Sequence, residues 1–93
     1  MEGALGLAAK AGNVVSGFRA VCQSVEDGKA RLVIVSHLLA ENTRKKVEKC
    51  CSTENVELAE VKIDDLGLPI GKRNRLVISI TSDSFKKMIK SLI

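Results

Sequence analysis

The chain has 93 residues, 45% of them hydrophobic and 28% charged, a composition typical of one folded domain and not of a disordered segment. Fifteen Lys and Arg residues against eleven Asp and Glu residues give a net charge of +4, which permits an anionic partner without requiring one. Only two aromatic residues occur, both of them Phe, which argues against a base-stacking platform for single-stranded nucleic acid.

The cysteines indicate the redox compartment. There are three of them, Cys22, Cys50 and Cys51, and the last two are adjacent, an arrangement poorly suited to a disulfide framework. A reduced, cytoplasmic setting fits this usage best. The N-terminus lacks the pattern of a secretory signal, and no stretch approaches the roughly 18 apolar residues of a membrane-spanning helix. We therefore expect a soluble cytoplasmic protein that does not associate with membranes.

Helical and strand patterns alternate along the chain. The predicted elements are a helix over 3–11, a short strand at 14–15, a helix over 18–25, a strand at 32–35, a helix over 41–53, a strand at 56–61, a short helix at 66–68, a strand at 76–80 and a helix from residue 83. In the second helix, Phe18, Val21, Cys22 and Val25 have the i, i+3, i+4, i+7 spacing of a buried stripe. The run Leu32–Val35 is continuously apolar, as in a strand covered on both faces.

Several residues indicate where the elements begin and end and which of their sides face solvent. Gly28 and Asn55 can end helices in the left-handed conformation. Ser82 is the predicted N-cap of the last helix, and Asp64 and Asp65 are predicted to cap the short helix, which Pro69 and Gly71 would stop. Arg44, Lys45, Lys46 and Lys49 are expected on the solvent side of the 41–53 helix, and Lys86, Lys87 and Lys90 on that of the last helix. The strand at 56–61 reads as half-exposed or as an edge strand.

Strands that alternate with helices at this spacing predict an α/β fold, namely a three-layer α/β/α sandwich with a mixed four-stranded sheet. We expect residues 1–93 to form a single folded domain. In such sheets ligands bind at the loops beyond the strand ends. Two loops are candidates. Ser16 and Gly17 precede a helix whose free backbone N–H groups can hold a phosphate, and the loop 72–75 precedes the last strand.

Catalytic and metal-binding patterns are missing from the sequence. His37 is the only histidine, and it reads as a loop or capping residue. One His and an adjacent Cys pair do not make a zinc site at any standard spacing. The segment 67–72 is one residue too short for a phosphate-binding loop and places Arg73 where the magnesium-binding hydroxyl belongs. We therefore predict no enzyme activity, no metal and no cofactor.

Three cations, Lys72, Arg73 and Arg75, lie within four residues, and no acidic residue occurs between Asp65 and Asp83. The other lysines and arginines read most simply as solvated helix faces. Composition alone leaves nucleic-acid binding and an ordinary solvated surface equally open.

The order of short motifs carries a resemblance that covers essentially the whole chain. The motifs are Ser16-Gly17 before a helix, Asp27-Gly28-Lys29-Ala30, Leu32-Val33-Ile34-Val35, Leu66-Gly67, Ile70-Gly71 and Val77-Ile78-Ser79-Ile80. In this order they resemble the kink-turn-binding ribosomal protein superfamily, which includes the archaeal L-seven-Ae and eukaryotic L-thirty-e proteins. The opening segment 5–12, with Ser36 and the segment 41–46, is similar to the bacterial YlxQ-like branch.

The resemblance implies that residues 1–93 form a single ribosomal-protein-like RNA-binding domain, an α/β/α sandwich that binds a sharply bent RNA with tandem G·A pairs. It implies contacts from the glycine turn, the first turns of the following helix and the loop before the last strand. In this sequence the RNA-binding positions are then Ser16, Gly17, Phe18, Arg19, Ala20, Gln23, Lys72, Arg73, Asn74 and Arg75.

The chain also departs from the family pattern. Kink-turn binders carry an Asn-Glu pair and a Lys where this sequence has Arg19, Ala20 and Gln23. They also have an apolar loop where this chain has a charged one. We therefore predict a non-catalytic, monomeric RNA-binding protein that recognises structured, ribosomal RNA by backbone and shape, with a stronger electrostatic share and a different or looser target than those of kink-turn binders. The alternative is a protein-interaction adaptor of the translation or transcription machinery, on the same fold, that has lost RNA binding.

Overall fold

Four helices and four strands make up the chain in a computed structural model that describes all residues, Met1–Ile93. The elements are α1 (Glu2–Lys10), β1 (Val14–Ser16), α2 (Phe18–Glu26), β2 (Leu32–Ser36), α3 (Glu41–Thr53), β3 (Glu57–Val61), β4 (Val77–Ile80) and α4 (Asp83–Lys90), with one 3₁₀ turn at Leu68–Ile70. The main helices and strands are those predicted from the sequence. Gly28 and Asn55 have the predicted positive φ, and the Ser82 hydroxyl caps α4 by accepting from the Phe85 N–H.

The four strands form one mixed sheet in the order β1-β4-β2-β3. Strands β2 and β3 are parallel, with Leu32 opposite Glu57, whereas β4 runs antiparallel to both β1 and β2. The mixed sheet is therefore confirmed. Strand β3 lies at one edge, which agrees with its half-exposed sequence pattern.

The sheet separates two apolar cores, which makes the fold a three-layer sandwich. On one face, Leu5 of α1 and Ile89 of α4 pack with inward residues of the strands such as Ile34. On the other face, helices α2 and α3 pack against Val33 and Val35. Successive side chains of a strand point to opposite faces, so the continuous apolar run in β2 supplies both cores. None of the helices has the length and apolarity to cross a membrane.

The prediction that Asp64 and Asp65 cap a short helix is wrong. The segment forms only the 3₁₀ turn Leu68–Ile70, whose N-cap is Gly67 without a side-chain cap. Pro69 lies inside the turn, and Gly71, with φ of +77°, follows it. The two aspartates instead hold loops at this end of the sheet. The Asp64 carboxylate contacts His37, and the Asp65 carboxylate accepts hydrogen bonds from backbone N–H groups outside the turn.

Arg44 was predicted to face solvent, and this is wrong as well. Its side chain is only 17% exposed and forms an ion pair with Glu60 of β3. Its guanidinium also lies 3.5 Å from the Ser36 carbonyl oxygen. Because α3 begins soon after β2 ends, its first turn lies near the ends of β2 and β3, and the long side chain of Arg44 reaches back to both strands.

The last helix is joined to the edge strand β3 through Glu57. The Glu57 carboxylate lies 2.6 Å from the Lys90 ammonium and 3.2 Å from that of Lys86. Hydrogen bonds from Lys90 and then Lys86 hold the pKa of Glu57 below its ordinary value. Two of the lysines predicted on the outside of α4 are thus engaged, whereas Lys87 is exposed without an ion pair.

Candidate nucleic-acid interface

The two loops predicted to bind RNA meet at one end of the sheet. Strand β1 ends at Ser16, opposite Ile78 near the start of the antiparallel strand β4. Directly after this pair, the Gly17 N–H donates to the Val77 carbonyl oxygen at 3.0 Å. The turn after β1 and the loop before β4 are therefore neighbours, as expected for loops at the same end of adjacent strands.

Gly17 makes the turn into α2. Its φ of +94° is a conformation that L side chains rarely adopt, so glycine is required here for backbone reasons. Gly17 is also the N-cap of α2, and no side chain caps this helix. The first backbone N–H groups of α2 therefore point out at the positive end of the helix dipole, an arrangement suited to phosphate.

The first turns of α2 present one exposed face and one buried face. Arg19, Ala20 and Gln23 are exposed, and the Gln23 amide donates to the Asp27 carboxylate at 2.9 Å. Phe18 is half-buried and packs against the core beneath α2 and α3. Of the predicted α2 positions, the side chains of Arg19, Ala20 and Gln23 are thus exposed, whereas that of Phe18 is partly taken up by packing.

A single carboxylate, that of Asp65, organises the loop 72–75. Its Oδ1 accepts from the Gly67 N–H at 2.8 Å and from the Arg75 N–H at 2.9 Å, and its Oδ2 accepts from the Asn74 N–H at 2.8 Å. These backbone hydrogen bonds, that from Arg75 first, lower the pKa of Asp65 below its ordinary value. The bonds reach across as many as ten residues, so nothing in the local sequence pattern could have revealed this role.

Arg75 joins the two predicted halves of the interface. Its Nε donates to the Ser16 hydroxyl at 3.2 Å, and its Nη1 donates to the Arg73 carbonyl oxygen at 2.7 Å. Arg75 is half-buried, whereas Lys72, Arg73 and Asn74 are exposed. Arg75 therefore anchors the loop to the glycine turn, and the three exposed residues are those free to meet a ligand.

His37, which the sequence left without a partner, lies at the same end of the sheet. Its Nε2 is 2.7 Å from the Asp64 carboxylate, and the Ser36 hydroxyl donates to the Asp64 carbonyl oxygen at 3.3 Å. These contacts tie the turn after β2 to the segment after β3. No group of three or more His, Cys, Asp or Glu side chains is placed to bind a metal ion.

Gly67 allows the loop to fold back on itself. A Cβ atom there would lie 2.9 Å from the Lys72 carbonyl carbon and 3.0 Å from both the Arg73 nitrogen and the Asp65 Oδ1. These distances are too short for a carbon atom, and two of the three neighbours are backbone. The position therefore requires glycine for space, although its φ of −74° is ordinary.

We expect Gly67→Ala to lower the free energy of unfolding by about 1–3 kcal/mol, because the loop must move to admit the methyl group. Urea denaturation measures this. Gly3→Ala is the matched control, since a Cβ at Gly3 in α1 has no neighbour within 4 Å and should stabilise the helix by up to about 1 kcal/mol. Equal stability of Gly67→Ala and the unsubstituted protein would show that the loop is not held as described.

Comparison with known proteins adds to this geometry. The sequence model of the ribosomal protein L7Ae/L30e/S12e/Gadd45 family matches residues 1–90. The RNA-binding protein YlxQ of Bacillus subtilis is 36% identical over 90 residues, which cover 96% of this chain and 90% of that protein. The protein of the same name from Enterococcus faecium is 33% identical, with 96% and 86% coverage. The resemblance predicted from the order of motifs is confirmed.

Solved structures with the same fold include a Bacillus halodurans protein of unknown function. It has a TM-score of 0.91 and 30% identity, and the match covers 98% of this chain and 93% of that one. The Giardia lamblia 15.5kD RNA binding protein has a TM-score of 0.78, with 98% and 79% coverage. Its identity is only 19%, so it shows the shared fold alone.

Proposed function

Because the chain belongs to the ribosomal protein L7Ae/L30e/S12e/Gadd45 family, we propose that it is a non-catalytic RNA-binding protein that holds structured RNA at the sheet end formed by the Gly17 turn and the loop 72–75. The relatives named RNA-binding protein YlxQ support this proposal over nearly the whole chain. We call this surface the RNA face and define it by Gly17, Arg19, Ala20, Gln23, Lys72, Arg73 and Asn74.

One contact carries the proposal, the hydrogen bond between Arg75 and Ser16. It connects residues 59 positions apart and fastens the cationic loop beside the uncapped start of α2. Lys72 and Arg73 are exposed there, and no acidic side chain lies within the loop itself. Lys72, Arg73 and Arg19 are thus exposed at the end of the sheet where the first backbone N–H groups of α2 are free, an arrangement that suits the sharply bent backbone of a folded RNA.

Recognition on this surface relies more on phosphates than on bases. Arg19, Lys72 and Arg73 can each approach a phosphate, and the amides of Gln23 and Asn74 can hydrogen-bond to the edges of unpaired bases. Ala20 has no side-chain acceptor for a guanine edge. We infer that shape and backbone charge decide the target, that the target is a kink-turn-like element of ribosomal RNA, and that the protein acts as a monomer. A cytoplasmic location stays a prediction, based on three free cysteines.

A specific observation favours a second candidate, a protein-interaction adaptor. Leu38, in the turn after β2, is 55% exposed, and Leu68, in the 3₁₀ turn, is 65% exposed. Leu38 follows β2, and Leu68 lies in the connection between β3 and β4, at the end of the sheet that carries the RNA face. Exposed apolar side chains are typical of the contact surfaces between proteins when they lie together, which favours the adaptor.

The deciding experiment measures binding to a kink-turn RNA and to an unbent duplex of equal length, each at several salt concentrations. We expect at least about tenfold tighter binding to the bent RNA, because the loops are held in one geometry. The logarithm of affinity should fall with that of salt with a slope of about −3, one phosphate for each of Arg19, Lys72 and Arg73. Equal binding to both RNAs would contradict recognition by shape, and binding to neither would favour the adaptor.

A further inference from the structure

A groove between α2 and α3 lies outside the RNA face. Its volume is about 430 Å³, and its walls include Cys22 and Glu26 from α2 and Lys46 and Cys50 from α3. Cys22 sits on the side of α2 that faces α3, whereas Arg19 and Gln23 face solvent. The groove is open, so small solutes reach both cysteines.

The two cysteines in this groove are neighbours across the helix pair. The Cys50 thiol donates to the Cys22 carbonyl oxygen, with 3.8 Å between sulfur and oxygen. Both residues are half-buried, and neither forms a disulfide in the structure. A rotation about χ1 turns each sulfur within the groove, which has room for such a change because it is open on one side.

We propose that Cys22 and Cys50 form a reversible intramolecular disulfide when the protein meets a peroxide, and that this bond ties α2 to α3. This modification site is independent of the RNA binding proposed above. It needs only the two thiols and an oxidant of the peroxide class.

The reaction proceeds in two balanced steps. The Cys50 sulfur attacks one oxygen of hydrogen peroxide, the O–O bond breaks, and Cys50 sulfenic acid and water are formed. The Cys22 sulfur then attacks the sulfenic sulfur, the S–O bond breaks, and the hydroxyl leaves as water with the Cys22 proton. The two thiols are oxidised by two electrons and the peroxide is reduced. A dithiol reductant cleaves the Cys22–Cys50 disulfide by thiol–disulfide exchange and restores both thiols.

The third cysteine is excluded by its position. Cys51 is 2% exposed and packs in the core beneath α2 and α3. Cys50 and Cys51 are consecutive residues inside α3, and a bond between them would not fit helical backbone geometry. Burial raises the pKa of Cys51 to about 11 and also that of Cys22 to about 11, the latter with a contribution from Cys50. The raised pKa of Cys22 disfavours its thiolate, so we assign the first attack on peroxide to Cys50, and the closeness of the two residues favours the second step.

The bond would close a loop from residue 22 to residue 50 that contains the second half of α2, all of β2 and most of α3. Closing such a loop restricts the unfolded chain and stabilises the folded one. We expect the oxidised protein to melt about 10 °C higher than the reduced protein.

The test treats the folded protein with hydrogen peroxide, removes the excess, blocks free thiols and measures the mass. We expect a loss of about 2 Da before blocking and one blocked thiol instead of three. Trypsin without reductant should then yield residues 20–29 linked to residues 50–62, because cleavage follows Arg19, Lys29, Lys49 and Lys62. Dithiothreitol should separate the two peptides.

Three variants assign the bond. Cys51→Ala should keep the linked peptides, whereas Cys22→Ala and Cys50→Ala should each abolish the intramolecular link. In the unsubstituted protein, fragmentation of the linked peptides should place the blocking group on Cys51, and this tests the proposal even if a variant folds poorly. A link that survives in Cys22→Ala, disulfide-linked dimers alone, or addition of oxygen atoms without a link would overturn it.

Discussion

Replacing Arg19 and Arg73 together by alanine should weaken binding of a kink-turn RNA by about 100-fold at about 0.1 M salt. Each of these exposed cations can neutralise one phosphate, and each lost phosphate contact releases about one counterion fewer. The salt slope of binding should therefore become less negative by about 2. Arg75 is left in place because its bonds to Ser16 and to the Arg73 carbonyl oxygen hold the loop.

The control for this double variant removes the same charge elsewhere. Lys29 follows α2 at the opposite end of the sheet, and Lys87 lies on α4, on the other face of the sheet. Both are exposed and neither forms an ion pair. Lys29→Ala with Lys87→Ala should change RNA affinity by no more than about threefold, as expected for distant charges screened by salt. If both double variants lost affinity equally, net charge and not the RNA face would govern binding.

Asp65→Asn should weaken RNA binding by about tenfold or more while leaving the salt slope unchanged. The carboxylate accepts three backbone N–H bonds from the loop, and an amide can accept with only one of its two terminal atoms. Its NH₂ group would then face a backbone donor, so the loop would lose its shape. The cations would still be present, but RNA would have to order them on binding.

Asp65→Asn should also change how the stability of the protein depends on pH. The folded-state pKa of Asp65 is lowered, so the stability that it contributes is fully present above its ordinary pKa of 3.8 and is lost as the pH falls through the folded-state value. We therefore expect Asp65→Asn to be less stable than the unsubstituted protein at pH 7. The difference should shrink below about pH 4. Thermal melting between about pH 2 and 7 measures both effects.

Asp64→Asn is the matched control, because this substitution removes the same charge one position away. Asp64 contacts His37 through its carboxylate and makes no bond to the loop 72–75. Asp64→Asn should therefore keep both RNA affinity and the acid profile close to those of the unsubstituted protein. An equal loss of affinity in the two variants would mean that binding does not depend specifically on the hydrogen bonds that Asp65 accepts from the loop.

Local sequence patterns were sufficient to predict the helices, the strands and the way in which they stack in layers. Helix periodicity in α2, the continuous apolar run Leu32–Val35 and the cap at Ser82 depend on residues within a few positions of one another. Such patterns specify which face of each element is apolar. A strand buried on both faces requires a layer on each side, so the three-layer sandwich follows from β2 together with the amphipathic helices.

The candidate RNA-binding site is held by contacts between residues that lie far apart in the sequence. The Arg75–Ser16 bond joins residues 59 positions apart, and Arg44 meets Glu60 across two elements. The sequence predicts Asp65 as a helix cap, because a carboxylate before an apolar turn is typical of one, yet its oxygens accept from backbone N–H groups up to ten residues later. Periodicity cannot specify such pairings, since they follow only once the strand order β1-β4-β2-β3 has placed the loops side by side. The sequence determined the elements and the two candidate loops, whereas the tertiary structure decided which side chains hold those loops and which are free to bind.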